Sequence, residues 1–336
     1  MNSDDIEHYY DDPDVLLKKH FLDPKYCMAY DKHNCDGAIV STHPISKKYL
    51  EFIAKNGQVY TPVGTIKQKK HLYKFKLKDI EQATHMNGFC EFHDKALFSL
   101  FEHVDFHGQY AQIYAISFKA LAHEYFQKKC LHSFFEKLKS GLLKSYDNNY
   151  YTNSDRFKES HAVAVKAAND RKFIYEQLEK YKTAGLSYLL IETSLLPISM
   201  TGVLFTMYAP DGSKFQKDNK KQLGFIYNII SLRDRSFIIM ATVKSLHNNV
   251  HEKLLKSIHA LENKGKLNYF LTSGFFNHEN IAVSPEWYEG LSDKSRGQLD
   301  KLMNYHHELP DEAAAEEFID FAELIPAHVI SSKLVL

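Results

Sequence analysis

The chain has 336 residues, and its 42 Lys and Arg are balanced by 42 Asp and Glu, for a formal net charge of zero. That balance excludes a strongly basic coat for nonspecific nucleic-acid binding but leaves room for a local basic face. Hydrophobic residues at 44% and charged residues at 25% mark a globular chain rather than a disordered one, long enough for two domains.

Residues 1–20 read as a polar lead-in with one helical turn over Val15–His20. The acidic start MNSDDIEHYYDDPD lacks the basic-then-apolar pattern of a secretory signal, so the cytoplasm is the expected location. A short strand over Ala38–Thr42 follows the turn at Asp36–Gly37, Pro44 stops any helix there, and a short helix over Ser46–Ala54 ends at Asn56–Gly57. Residues 58–82 read as a strand hairpin, with Val59, Tyr60, Val63 and Ile66 and then Leu72–Leu77 in alternation. After a turn at Asn87–Gly88, Glu91–Glu102 has helical spacing, with Phe92, Ala96, Leu97, Leu100 and Phe101 as its apolar face. Long helices are predicted over 109–143 and over Ser154–Thr183, the second capped near Asn153–Asp155 and stopped by Gly185.

The period then changes. Leu186–Leu196, Gly202–Tyr208, Leu223–Ser231 and Ser236–Lys244 read as strands of an antiparallel meander, separated by Pro197, Asp211–Gly212 and Arg233–Asp234. Helices return at Val250–Asn263, Pro285–Tyr305 and Asp311–Leu324, with Ser284 and Pro285 as a start signal. Apolar runs such as SYLLIETSLLPI are too short and too interrupted for a membrane span.

Four cysteines at uneven spacing do not make a disulfide framework, and in a reducing compartment clustered Cys and His bind metal more often. Cys27 and Cys35 flank a short polar loop, while Cys90 and His93 form a C-x-x-H step that lets both face one ion as a helix begins. Zinc takes four such ligands in a tetrahedron, and Phe89 and Phe92 would shield it. The seven residues between Cys27 and Cys35 exceed the usual knuckle spacing, and the plainer reading is buried thiols and a surface histidine. His85 is a substitute ligand. Cys130 lies apart, in a helical stretch, as a buried thiol. His103 and His107, four apart, offer a further pair if helical.

In this order of residues the chain resembles the HNH, or treble-clef, nuclease family. That family has a zinc knuckle, a strand ending in His, a connecting segment, and a helix opened by two more ligands. The matching residues are Cys27 and Cys35, then His43 in Ser41-Thr42-His43-Pro44, then Cys90, His93 and Asp94 in GFCEFHD. The likeness covers roughly residues 21–105, and a set of bacterial proteins sharing "C…C…SH" and "GFC-x-x-HD" segments is similar over the same stretch. The resemblance implies structural Zn²⁺ at Cys27, Cys35, Cys90 and His93. It implies His43 as general base and Asp94 as ligand to a catalytic Mg²⁺ or Mn²⁺. Thr42 stands where the family often has Asp, Asp94 replaces a His, and Asn87 is the candidate for the middle Asn. Lys47 and Lys48 would then meet phosphate, and the run Lys67–Lys78, with Lys69, Lys70 and Tyr73, would track a backbone and stack a base. The plainer reading of that run is an edge strand guarded by lysines, and that of His43 is a hydrogen bond across the fold.

No Walker-type or G-x-G-x-x-G phosphate loop is present, and Ser194, Ser199 and Thr201 lack the context of a serine hydrolase. Glu192, Arg233 and Asp234 are the polar candidates if the C-terminal sheet holds the main site. The expected architecture is α+β: a lead-in at 1–20, a zinc-bound treble-clef domain at 21–108, a helical connector at 109–185, and an antiparallel sheet flanked by helices at 186–336. The expected function is a metal-dependent nuclease acting on DNA before RNA, in a bacterial defence or toxin-like setting. The alternative is a non-catalytic zinc-stabilised module that binds nucleic acid or protein. The helical and C-terminal regions are the place for a homo-oligomer or protein partner, and no membrane is expected.

Overall fold

Strict alternation along the C-terminal strands divides their side chains between two apolar layers. Phe237, Ile239, Ala241 and Val243 pack into one core and Ile238 and Met240 into another on the opposite side. A sheet apolar on both faces must be covered on both, and helices do so here. A computed structural model describes residues 26–29, 35, 38–67, 70–142, 155–180, 185–204, 209–213, 224–246, 249–277, 280–304 and 320–336. The chain is a mixed helix-and-sheet protein with antiparallel sheets.

The first part comprises β1 (Ile39–Thr42), α1 (Lys47–Ile53), β2 (Gln58–Lys67), β3 (Lys70–Asp79), α2 (Ile80–Ala83), β4 (Met86–Cys90) and α3 (Glu91–Glu102). Two long helices follow, α4 (Tyr110–Lys139) and α5 (Asp155–Lys180). The last part runs β5 (Leu186–Ser194), β6 (Ile198–Leu204), β7 (Phe225–Ser231), β8 (Arg235–Val243), α6 (Asn249–Ala260), α7 (Asn263–Asn277), β9 (Ile281–Val283), α8 (Pro285–Gly290), α9 (Asp293–Asn304), α10 (Phe321–Leu324) and β10 (Val329–Val335). Among the described residues, β1 pairs with β4 alone, and the other eight strands form one sheet in the order β10-β5-β8-β7-β6-β9-β2-β3.

The hairpin β2–β3 lies within residues 21–108, yet it extends the sheet of the C-terminal part, joined through Tyr60 opposite Val283 of β9. Residue 108 therefore does not separate two sheets. Nor do the central strands make a simple meander. β6, β7 and β8 follow one another, but β5 pairs with β8, so the link 195–197 passes over the end of the β7–β8 hairpin. Two buried serines hold that crossing. The Ser231 hydroxyl donates to the carbonyls of Leu196 and Ile198, 2.8 and 2.7 Å away, and the Leu196 amide donates to the Ser236 hydroxyl at 2.9 Å.

Helices α2 and α7 and strands β4, β9 and β10 carry no expectation from the sequence, and β4 runs straight through the expected turn at Asn87–Gly88. Helix α7 has its pattern blurred by Gly265, Gly274 and several aromatics, and β10 pairs with β5 at the sheet edge. The expected helix 285–305 divides at Leu291–Ser292 into α8 and α9. The turn at Val15–His20, the cap near Asn153 and most of Asp311–Leu324 lie outside the described residues. No helix among the described residues is long and apolar enough to cross a membrane.

Helix α4 is the spine of the first core: Ile113, Ile116, Phe118, Leu121 and Phe126 are buried along it, as is Cys130. Arg171 of α5 reaches back to Glu124 with Nη2–Oε1 at 3.1 Å, tying the two helices. His123 is buried where α4 meets the sheet, and its Nδ1 accepts from Asn280 Nδ2 at 3.2 Å. Burial pushes the His123 pKa down from 6.5 to about 4, against the neighbouring Glu124. The native state thus keeps His123 neutral while the unfolded chain protonates it below pH about 6.5. Its contribution is complete above the unfolded pKa and is lost as pH falls to the folded one. Acid between pH 6.5 and 4 should therefore cost about 3 kcal/mol from this group alone. Urea titrations of wild type and His123→Gln across that range check it: the wild-type curve should fall more steeply, and parallel curves would reject the assignment.

Candidate metal centre

The cluster is assembled by a strand-to-helix junction. β4 ends at Cys90, whose extended backbone (φ −80°, ψ 160°) is the N-cap position of α3. Cys90 and His93 are three residues apart across that start, so both point to one side. β1 lies antiparallel to β4, with Ile39 opposite Cys90 and Val40 opposite Phe89. The segment carrying Cys27 runs along the same strand, held by a 2.7 Å hydrogen bond from the Met28 amide to the Gly88 carbonyl. Gly88 sits close against two methionines: a Cβ there would meet the end of the Met86 side chain at 2.8 Å, which would have to move aside, and Met28 Cγ at an ordinary 3.6 Å. The Tyr175 hydroxyl donates to the Met28 carbonyl, anchoring the segment to α5.

The ligand atoms of Cys27, Cys35, Cys90 and His93 all lie within 4.8 Å of one another. Cys27 Sγ is 3.5 Å and Cys90 Sγ 3.1 Å from His93 Nδ1, and Cys35 Sγ is 3.7 Å from Cys90 Sγ. A disulfide would need about 2.05 Å, and none of the four cysteines is in one. A tetrahedral ion with bonds of about 2.3 Å to sulfur and 2.0–2.1 Å to nitrogen sets edges of about 3.8 Å between sulfurs and 3.5 Å from sulfur to nitrogen. The observed separations are close to those edges, so the four residues can hold a metal ion. Cys27, Cys90 and His93 are buried and Cys35 half-buried, which keeps water from the ligands.

This demand rotates α3 away from the face expected for it. His93, Phe98 and Phe101 are its buried residues, while Phe92 and Leu100 are 44% and 48% exposed. Aiming His93 inward necessarily turns its neighbour Phe92 outward. The Phe92 ring stands edge-on to the His93 imidazole, centroids 5.2 Å apart. It borders the cluster without being buried over it, whereas Phe89 is fully buried as expected.

His43 follows β1 directly and is half-buried. One ring nitrogen bonds the Thr84 backbone; Nδ1 is buried and has no hydrogen-bond partner among the described residues. Burial holds its pKa below the ordinary value, helped by Lys119 and opposed by Thr84 and Glu81, so the imidazole is neutral at pH 7. Asp94, in the first turn of α3, is pushed up by burial and by Glu102 and pulled down by Lys119 and His43. The two expected catalytic residues therefore share one electrostatic environment, and Lys119 lies within it.

Lys119 has no distinguishing sequence signal, being one lysine in a long helix. It is 1% exposed, with Nζ 2.6 Å from Glu102, 3.7 Å from Asp94 Oδ1 and 4.5 Å from the Phe98 ring centroid. A buried ammonium survives only with such partners.

The expected nucleic-acid contacts are dispersed. Lys47 pairs with Glu81, and Lys48 with Asp105 at 2.9 Å. Lys69 lies outside the described residues, and Lys70 begins β3 with only its backbone described. Tyr73 is packed against the C-terminal core, its amide donating to Asn304 Oδ1 at 2.6 Å. His85 is exposed and outside the cluster. His103 and His107 do not share a helical face, because α3 ends at Glu102. Glu192 pairs with Arg235 at 3.0 Å, and Arg233 and Asp234 are exposed in the β7–β8 turn, an ordinary use of such residues. In comparisons with known proteins, no family model matches the chain, and no curated protein or solved structure matches it.

Proposed function

We propose that the thiolate–imidazole cluster binds structural Zn²⁺ in a treble-clef-like unit that positions an HNH-like phosphodiester hydrolase. What carries the reading is the His43 imidazole, held neutral by burial just after β1, in a charge environment that it shares with Asp94 and Lys119. Three thiols and one imidazole suit zinc by ligand softness and geometry. His43, half-buried and neutral, is the base that would take a proton from an attacking water. Asp94 would be an oxygen ligand suited to a hard cation. A bound Mg²⁺ or Mn²⁺ would supply charge stabilisation at the leaving oxygen. Nucleic acid, DNA before RNA, is the proposed substrate, and a bacterial defence or toxin-like setting rests on the resemblance alone.

Cleavage of plasmid DNA and of an RNA of mixed sequence with Mg²⁺ or Mn²⁺ tests this. His43→Ala should lower the rate by about 10²–10⁴-fold, the usual worth of a general base, with bound zinc unchanged. Equal rates in wild type and variant remove His43 from the chemistry.

One observation favours the second reading, a non-catalytic zinc-stabilised module. The Lys119 ammonium already stands 3.7 Å from Asp94 Oδ1, where a metal cation would have to compete. Under that reading the wild type binds nucleic acid or a protein partner and leaves both DNA and RNA intact.

A further inference from the structure

Away from the thiolate cluster, two histidines and a glutamate converge at the far end of the α4–α5 pair. His132 and Glu136 are one turn apart on α4, and His161 comes from α5. Their three ligand atoms lie within 4.8 Å of one another. Both imidazoles address the same carboxylate oxygen: Glu136 Oε1 is 2.5 Å from His161 Nε2 and 3.8 Å from His132 Nε2. The ring centroids of the two histidines are 6.2 Å apart. We propose that His132, Glu136 and His161 form a second metal site, taking an exchangeable divalent transition ion with coordination positions left open.

The geometry of such an ion supports this. Bonds of about 2.0–2.2 Å to imidazole nitrogen and carboxylate oxygen place cis donors about 3.0–3.4 Å apart. The two Glu136–histidine separations straddle that range, and the Glu136 side chain is 50% exposed, free to shift by the few tenths of an ångström required. The site is built on a rigid base. Phe134, Phe135, Leu138, Phe157 and Ala164 form a separate buried cluster between the same helices, and the His161 ring lies against Phe135 and Phe157 at 6.1 and 5.9 Å. The helix pair therefore fixes two backbones before any ion arrives, so binding does not have to order them.

The donor set decides the class of ion. Two imidazoles and a carboxylate suit zinc or a first-row divalent ion such as Fe²⁺, Co²⁺ or Ni²⁺ and lack the thiolates that would make the ion soft and permanent. Three protein ligands, part-exposed, leave at least one position for water or a small ligand, whereas the buried four-ligand cluster is closed. A hydrogen bond accounts for His161 and Glu136 and helical spacing for His132 beside Glu136, but together they bring two imidazoles to one carboxylate oxygen from two helices.

Calorimetric titration of Co²⁺ into the full chain, isolated with its tightly held metal in place, tests the assignment. The wild type should take up one further equivalent, with no thiolate-to-cobalt charge-transfer band. His132→Ala and His161→Ala should each weaken that uptake at least 10–100-fold, the cost of losing even an outer-sphere partner of a metal ligand. Glu136→Gln, at a half-exposed position, should do the same with the circular dichroism spectrum unchanged, which covers the case that His161→Ala fails to fold. No uptake by the wild type, or uptake equal in all variants, leaves only a His–Glu hydrogen bond and overturns the proposal. The metal content of the protein as isolated reports on the thiolate cluster separately, so the two outcomes cannot be confused.

Discussion

Cys90→Ser should be the most destabilising single change in the N-terminal part, costing at least about 5 kcal/mol and releasing the bound ion. Cys90 is fully buried and belongs at once to β4, to the start of α3 and to the cluster. Its thiolate is the one placed next to both Cys35 Sγ and His93 Nδ1, at 3.7 and 3.1 Å. Structural zinc contributes about 10–16 kcal/mol to small domains that cannot fold without it. Here part of that energy is replaced by apolar packing, since Phe89, Phe98 and Phe101 are buried beside the cluster, so the expected loss is smaller. Urea denaturation with and without a strong chelator is the measurement. Chelation should bring the wild type down to the variant and leave Cys90→Ser unmoved. Cys130→Ser, a buried thiol outside the cluster, serves as the control whose response to chelator matches the wild type. A wild type that carries no metal and ignores chelator would end the metal reading.

The grouping of Cys27, Cys35, Cys90 and His93 was legible in the sequence because metal chemistry restricts residue type so severely, even with loose spacing between Cys27 and Cys35. Short-range patterns did equally well where a single period dominates: Glu91–Glu102 is helical over the expected residues, and the strand before His43 ends at Thr42. Which face of α3 is buried was not legible. Apolar count favoured Phe92 and Leu100, but the requirement to aim His93 at three thiols outweighs two exposed apolar side chains. Long-range pairing was hidden for a different reason. Nothing local in residues 58–79 says that the hairpin completes a sheet whose next strand begins at Ile281. The pass of residues 195–197 over the β7–β8 hairpin depends on Ser231 and Ser236, which read from the sequence as ordinary strand ends. The His132–Glu136–His161 group combines a local signal, the spacing of four on α4, with a partner from another helix that no local window contains.

Lys119→Met should destabilise the protein by about 3 kcal/mol at neutral pH while keeping most of the apolar volume of the side chain. Removing one member of a buried ion pair costs about 3–5 kcal/mol, because the remaining charge stays desolvated. Here the remaining charges are Glu102 and Asp94, each 20% exposed, and that residual solvation places the effect at the lower end. The pH dependence identifies the cause. Burial already pushes Asp94 upward and Lys119 pulls it down, so the variant's carboxyl takes up a proton more readily and its penalty shrinks as the pH is lowered. A purely steric defect would persist at every pH. Replacing Glu102 as well separates the cases further, since exchanging both charges for neutral groups of similar shape is close to neutral in stability. Lys119→Met/Glu102→Gln should therefore recover most of the loss in urea denaturation. A double variant no more stable than the single one would show that the ammonium matters for some other reason than these two carboxylates. The same pair of proteins bears on function. With the ammonium gone, Asp94 is free for a divalent cation, so the double variant should bind Mn²⁺ more tightly than the wild type if Lys119 occupies the cation position beside Asp94. Unchanged Mn²⁺ affinity would mean that the carboxylate is held away from solvent by the fold itself, whatever its partner.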